Sequence, residues 1–345
     1  MELGISSLGD LRHDPSEQSA TDIQARYRYI IDLAKLADQG GLDIFTLGEH
    51  HRPDYVIPAP EVALAAIAGV TKNIRLASGV TVLSGHDPVR VFEQFSTLDH
   101  VSGGRAEIIV GRGAFVESFP LFGLNLNDYD AIFDEKLRLL LRLRDEESVT
   151  WSGSYRPLLD SVRIHPRPLQ ERLPIWVGVG GTPSSVVRAG LLGLPITMGF
   201  FAGPEQFVSR VELYHRAAEQ GGHDPSTLHL GAGGHLFVGK TSQGAREQFY
   251  PYYSRYLDQP GSPFGGRGMP REMYDAWLAS SLPVGSPQQV IDDIMLRVEL
   301  LGIDRFLAHI DMGYLPWEMV SESVELFASE VAPVIRRETA LAAKR

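Results

Sequence analysis

The chain has 345 residues, 43% apolar and 22% charged, with a formal net charge of −11 and no cysteine. Such a profile belongs to a globular chain with ample core, and its acidic balance argues against nucleic acid or an anionic membrane as a partner. Disulfides, thiolate metal sites and cysteine nucleophiles are excluded together. With no signal-like start and no run near the roughly 20 apolar residues of a membrane span, a cytoplasmic location is expected.

Strands and helices alternate along the chain. Leu3–Ser7 reads as strand one, followed by a polar loop to Ala20. Thr21-Asp22-Ile23-Gln24 has the form of a capping box, and Tyr27, Ile30, Ile31, Ala34 and Ala37 keep a 3.6-residue period behind it. Strand two is Asp43–Gly48, followed by the run Glu49-His50-His51-Arg52 and helix two over Pro60–Thr71. Strand three is Ile74–Leu83, and its helix opens at Asp87-Pro88, an N-cap and first-turn pair. Strand four, Arg105–Gly111, precedes a long helix near Tyr129–Arg144, and the proline-bearing Ser148–Leu173 is expected to hold a hairpin.

Pro174–Gly180 is strand five and Thr182–Leu192 its helix; Pro195–Phe200 is strand six and Pro204–Gln220 the next helix. His229–Val238 reads as strand seven. A Gly/Pro/Tyr-rich insertion, Gly239–Pro283, with Tyr250, Tyr252, Tyr253 and Tyr256, separates it from a helix begun by Ser286-Pro287 and forms a candidate lid. Arg305–Ile310 is strand eight, and Trp317–Ile335 closes the chain.

Eight strand–helix units without a linker between them predict one domain over residues 1–345, an α/β (β/α)8 TIM barrel with insertions. A doubly wound sheet would usually carry a glycine fingerprint after strand one, where this chain has Ser6-Ser7-Leu8-Gly9-Asp10. Barrels keep their active sites at the C-terminal strand ends. There the chain places Glu49, His50 and His51; Arg112; Gly180-Gly181-Thr182-Pro183-Ser184-Ser185; His235; and His309 with Asp311.

No core-packing requirement explains an acid, two histidines and an arginine in a row. Thr182 and Pro183 suit an N-cap and first helical residue, so free N–H groups and the helix dipole would await an anion. Thr182 and Ser185 add hydroxyls and Arg112 a guanidinium fork, which together suit a phosphate; the plainer alternative is that Thr182 only caps its helix and Arg112 pairs with a surface acid. The glycines of strand seven, with Gly79 and Gly199, are read as widening the mouth for a flat molecule; bulges that help close the barrel are the plainer alternative.

The pieces Gly48-Glu49-His50-His51, Ser78-Gly79-Val80-Thr81-Val82-Leu83, Asp87-Pro88-Val89-Arg90, Leu98-Asp99-His100-Val101-Ser102-Gly103-Gly104-Arg105, Gly111-Arg112-Gly113, Gly193-Leu194-Pro195 and Pro283-Val284-Gly285-Ser286-Pro287 run in order along nearly the full length. In them the chain resembles the bacterial luciferase-like family of flavin-dependent monooxygenases. The resemblance implies an FMN-binding barrel, usually dimeric, in which reduced flavin and dioxygen give a flavin hydroperoxide that oxidises an organic substrate. It implies phosphate contacts at Arg112, Ala114, Gly181, Thr182 and Ser185, a histidine beside the flavin ring at His50, and a non-prolyl cis peptide at Gly79-Val80. His51, His235, His309 and Asp311 could line the substrate side. With no nicotinamide fingerprint in the chain, reduced FMN would come from a separate flavin reductase. Two departures stand out: Gly180-Gly181-Thr182-Pro183 replaces a Ser/Ala-rich run of the luciferases, and Gly111 stands where luciferase has a cysteine near the flavin, so long-chain aldehyde and light emission are not implied.

Other readings draw on the same residues. A metal centre could recruit His50, His51, His235, His309 and Asp311, but barrel metallohydrolases usually carry a His-x-His pair on strand one, which is missing here. A Schiff-base aldolase needs an interior lysine, and Lys240 stands alone beside Thr241 and Ser242. A deazaflavin-dependent dehydrogenase would use the same scaffold for hydride transfer, and a non-catalytic flavin-binding barrel would have no need of His50.

Overall fold

The structure, a computed structural model, describes residues 1–11, 23–113, 115–180, 182–200, 203–258, 264, 266–313 and 315–342. Parallel strands close in a ring in chain order: β1 (Glu2–Ser7), β2 (Ile44–Leu47), β3 (Arg75–Ser78), β4 (Ala106–Gly111), β5 (Ile175–Val179), β6 (Ile196–Phe200), β7 (Leu230–His235) and β8 (Arg305–His309). β8 pairs back onto β1, with Leu3 opposite Phe306 and Ser6 opposite His309. This is a (β/α)8 barrel, the architecture that the alternation predicts.

Around it stand α1 (Ile23–Gln39), α2 (Pro60–Ala68), α3 (Pro88–Ser102), α4 (Tyr129–Asp145), α5 (Pro183–Leu191), α6 (Val208–Gln220), α7 (Ser242–Tyr256), α8 (Arg271–Leu278), α9 (Pro287–Leu301) and α10 (Trp317–Leu326). Local chemistry sets many of their ends. At α3, Asp87 Oδ1 accepts from Val89 N at 2.8 Å, Pro88 takes the first turn, and Gly103 stops the helix at φ +72°. The capping box foreseen at Thr21 and Asp22 lies outside the described residues.

The barrel is sealed at its N-terminal end and open at the other. Arg305 is buried on the axis, bonds Glu107 through both guanidinium nitrogens and Glu2 through Nε at 2.8 Å, and stacks 3.7 Å over Trp176. Above this ionic floor, Ile44, Ala77, Ile109, Trp176 and Leu307 form an apolar layer. The isoleucines and the leucine among them each contribute about 1.5–3 kcal/mol when fully buried. A ligand therefore has one way in, the C-terminal mouth.

Three elements depart from the expected spans, the two strands among them because the chain leaves the barrel wall. Strand three breaks after Ser78, passes the cis Gly79–Val80 bond, resumes as Thr81–Val82 beside β4, and ends in a tight turn at Leu83–Gly85. Strand seven ends at His235; Phe237–Val238 then pairs with Val284–Gly285 outside the barrel. The closing helix is interrupted by a π-turn over Phe327–Val331 before a last helix, α11 (Ala332–Ala342).

The insertion after strand seven carries structure of its own. It is mainly helical: α7 is capped by the Thr241 hydroxyl accepting from Gly244 N at 3.1 Å, and α8 packs beside it. Tyr253 and Tyr256 are core residues, and the Tyr253 ring stacks on Phe249. Composition marked the segment as an insertion and candidate lid without assigning its helices, because Pro251 and the flanking glycines hide the periodicity. The expected hairpin is present, Val149–Trp151 against Leu159–Val162.

Candidate active site

A cavity of about 470 Å³ opens at the C-terminal mouth, and all eight strands or the loops just beyond them line it. That volume lies within the usual range for small-molecule sites.

At the β4–β5 side, three polar side chains converge. The Arg112 guanidinium donates through Nη2 to the Thr182 hydroxyl and, at 2.9 Å, to Ser185 Oγ; the two hydroxyls are themselves 2.9 Å apart. Its other terminal nitrogen donates to Asp130 at 2.6 Å, and the guanidinium carbon lies 4.6 Å from the Tyr129 ring centre. Arg188, one turn along α5, reaches the same carboxylate at 3.2 Å. Thr182 has the backbone conformation of an N-cap, but its hydroxyl does not cap the helix; it is spent on Arg112 and Ser185. A hydroxyl withheld from its own helix and turned to a cation suits a ligand with several acceptor oxygens. Gly180 faces open space, where even a β-carbon would meet nothing. Ala114 and Gly181 lie outside the described residues.

The middle of the cavity is shaped by the Gly79–Val80 bond and by His50. The glycines around it serve a purpose that composition did not reveal. Gly111 and Gly178 make room for Val80, and Gly79 for Thr46, whereas Gly233 leaves ordinary contact distance to Leu307. His50 packs on Tyr55, ring centres 4.1 Å apart, and its Nε2 is buried without a hydrogen-bond partner. Burial, opposed by the nearby Glu49 and Asp54, lowers its pKa to about 4, so the ring is neutral near pH 7. Thr46 Oγ1 and Thr197 Oγ1, both lining the cavity, are likewise buried and unpartnered. Unpaired buried polar atoms are costly and call for an explanation. Three around one cavity fit a ligand with several ring nitrogens and carbonyls. Neither threonine stands out in the sequence, since threonine is an ordinary strand residue.

His51 and Glu49 form a support beside this site. His51 Nε2 and His86 Nε2 both donate to Glu49 Oε1, at 2.8 and 2.9 Å, and Val82 N donates to Oε2 at 2.8 Å. Burial alone would raise the Glu49 pKa; the bonds from His51 and His86 overcome it and hold the carboxyl at about 2. His51 thus lies against the wall, away from the main cavity, and Glu49 ties the strand-two loop to the turn after strand three. Arg52 bonds Asp54 and Glu117 and covers the Phe115 ring at 4.3 Å.

Across the barrel from β4 and β5, His235 and His309 line the cavity with ring centres 5.3 Å apart. His235 Nδ1 shares a hydrogen bond of 2.9 Å with the Tyr253 hydroxyl, and burial pushes its pKa well down. Asp311 lies behind His309, outside the lining, where it accepts from Ser7 at 2.6 Å and Arg26 at 2.9 Å. The structure therefore brings together His50, Gly79, Val80, Arg112, Thr182, Ser185, His235 and His309 around one cavity, with His51 and Asp311 one layer back. Among the described residues no cluster of three or more acidic or histidine side chains could hold a metal ion. Lys240 points to solvent and pairs with Glu322.

Residues 1–305 match the luciferase-like monooxygenase family. Among solved structures, the monooxygenase RslO1 from Streptomyces bottropensis superposes with a TM-score of 0.85 at 25% identity, over 97% of this chain and 99% of that one. The oxygenating constituent of 3,6-diketocamphane monooxygenase from Pseudomonas putida, a type II Baeyer–Villiger monooxygenase in complex with FMN, gives 0.75 at 22% identity over 97% and 99%. An F420-dependent secondary alcohol dehydrogenase shares the fold at 0.73 and 16% identity over 97% and 99%. On its sequence match and its barrel, the chain belongs to the luciferase-like monooxygenase family of flavin-dependent enzymes.

Proposed function

We propose that this protein is an FMN-dependent monooxygenase that takes reduced FMN from a separate flavin reductase and uses dioxygen to oxidise a small organic substrate. The observation that carries the reading is the convergence of Arg112, Thr182 and Ser185 at one end of a cavity whose middle holds unpartnered polar atoms on Thr46, His50 and Thr197. A phosphate at the first and a polar ring system at the second account for both. Bound reduced FMN would supply the electrons that activate dioxygen.

The chain's own residues bind, orient and shield. Arg112, Thr182 and Ser185 hold the phosphate, with Ala114 and Gly181 as further contacts. Gly79 and Val80 support the ring, and neutral His50 hydrogen-bonds or relays a proton beside it. The ionic floor closes the N-terminal end of the barrel, and α7 and α8 are the candidate lid that would limit water at the reacting end.

A deazaflavin dehydrogenase would need to seat a cofactor tail with carboxylates beyond its phosphate. Among the described residues that line the cavity Arg112 is the one lysine or arginine, a single cation that suits one phosphate better than a longer anionic tail. A non-catalytic flavin-binding barrel would also give His50 Nε2 a partner, so substrate oxygenation, not flavin binding, separates that reading from this one. We also read the protein as a single-domain, cytoplasmic homodimer. No helix of the described residues is long and apolar enough to cross a membrane. Val62 and Val70 on and just after α2 are 68% and 50% exposed, apolar surface that a partner copy would cover.

The test is rapid mixing of anaerobic protein-bound reduced FMN with dioxygen. A transient absorbance distinct from reduced and oxidised flavin supports the reading. Reoxidation in one step at the rate of free flavin, or tight binding of a deazaflavin with none of FMN, overturns it.

A further inference from the structure

Arg112 faces the phosphate end of the cavity with its charge already matched. Its Nη1 donates to Asp130 Oδ1 at 2.6 Å, while Nη2 serves the hydroxyls of Thr182 and Ser185. The two ions differ in freedom. The Arg112 side chain is 13% exposed and is covered by the Tyr129 ring, 4.6 Å from its guanidinium carbon, whereas the Asp130 side chain is 60% exposed. Tyr129 and Arg112 line the cavity and Asp130 does not, so the carboxylate flanks the guanidinium from outside the space that a phosphate enters.

Asp130 has a second cation within reach. Arg188 Nη2 donates to the same carboxylate oxygen at 3.2 Å, and Arg188 Nε lies 3.3 Å from Asp134 Oδ1. Arg188 does not line the cavity. Asp130 therefore bridges one arginine that faces the ligand and one that does not. The helix dipole alone would favour an acid here, in the first turn of α4. That preference does not account for a carboxylate turned onto Arg112, the one lysine or arginine among the described residues of the lining. A phosphate on Arg112 and a carboxylate on the same guanidinium are like charges a few ångströms apart, and they repel even in water.

We propose that Asp130 competes with the FMN phosphate for Arg112, and that Arg188 takes the carboxylate as the phosphate arrives, so that the site is set for flavin exchange. The proposal rests on the functional reading above and names the residue that tunes its cofactor affinity. In the empty site Asp130 neutralises Arg112. When a phosphate binds, Arg112 gives its donors to the ligand, and the more exposed Asp130 side chain turns toward Arg188. On release it returns to Arg112 and offsets the lost ion pair. Flavin that arrives reduced from another protein must leave oxidised, and a competitor within the chain loosens it while every phosphate contact stays in place.

The experiment titrates oxidised FMN and riboflavin, by flavin fluorescence, into wild type, Asp130→Asn, Arg188→Gln and the double variant. Asp130→Asn is expected to tighten FMN about fivefold, the effect of removing a like charge about 4 Å away in water, and to leave riboflavin unchanged. FMN dissociation, followed by stopped-flow displacement, should slow by a similar factor. The gain should shrink as salt rises, because exposed charges are screened. Arg188→Gln should loosen FMN when Asp130 is present, since the carboxylate is then left to Arg112 alone, and should have little effect beside D130N. FMN affinity in D130N equal to or below that of wild type would mean that Asp130 positions Arg112, and overturns the proposal. Equal gains for FMN and riboflavin, or a loss from R188Q of the same size in both backgrounds, also overturn it. Unchanged riboflavin affinity doubles as the control for an intact mouth in each variant. If wild type holds FMN no better than riboflavin, the functional reading fails at its phosphate end and the proposal falls with it. FMN preferred by wild type, with no response to D130N, sinks the proposal alone.

Discussion

Val80 occupies the space that a side chain on Gly111 would need: a β-carbon there would lie 2.6 Å from Val80 Cγ2. On the other side, a β-carbon on Gly178 would lie 2.5 Å from Cγ1. A β-branched residue pressed from both sides cannot turn away from either. The wedge therefore holds its place between β4 and β5, facing the cavity. Gly111→Ala and Gly178→Ala should each cost about 1–3 kcal/mol of stability, the range for overpacking, and weaken FMN binding. Denaturant midpoints and FMN titration check this; wild-type values for both would mean that Val80 yields freely.

Arg112→Ala should weaken FMN binding by about 1.5–3 kcal/mol, the range for hydrogen bonds to a charged group. Riboflavin, which has no phosphate, should bind wild type and mutant alike, and more weakly than FMN binds wild type. Fluorescence titration with both ligands separates a phosphate contact from general damage to the mouth. Equal FMN affinity in the two proteins would remove Arg112 from the site.

His50→Ala should keep most FMN affinity while substrate oxygenation falls by about 10²–10⁴-fold, the range for an acid–base group. Its pH signature follows from burial. The native pKa of about 4 lies below the ordinary 6.5, so the native state favours the neutral ring. The associated stability is whole above pH 6.5 and is lost as pH falls toward 4. Unfolding midpoints of wild type and H50A should therefore converge on acidification through that window. A constant gap would mean that His50 titrates alike in the native and unfolded states.

Glu49→Gln should cost on the order of 3 kcal/mol, because a buried carboxylate with three donors loses its charge. The native pKa of about 2 lies below the ordinary 4.5, so this stability is present above pH 4.5 and disappears between 4.5 and 2. Chemical denaturation across that range should show the wild type falling to meet the mutant. If the difference persists at pH 2, hydrogen-bond geometry, not charge, is what matters.

Val62→Glu should convert the proposed dimer to monomer while the barrel stays folded, since Val62 is 68% exposed in the single chain. Sedimentation at micromolar concentration reads the result. A wild-type monomer would end the dimer reading; a mutant dimer would move the interface elsewhere.

The barrel was legible in the sequence because its signals are local. Strand and helix periods, Asp87-Pro88 and Ser286-Pro287 at helix starts, and polar residues at strand ends act within a few residues of one another. Arg112, Thr182 and Ser185 could be grouped because successive strands of such a barrel are neighbours. What only the tertiary structure decided were pairings across long separations of chain. His51 and His86 share one oxygen of Glu49. Asp311 is drawn behind His309 by Ser7 and by an arginine on α1. Gly111 and Gly178 yield to Val80, and Thr46 and Thr197 are left unpartnered in the cavity. Hydrogen-bond direction and burial depend on which atoms meet after the eight strands close, and no short window of sequence carries that information. The same residue types could have capped helices or faced water; barrel closure turned them toward one cavity.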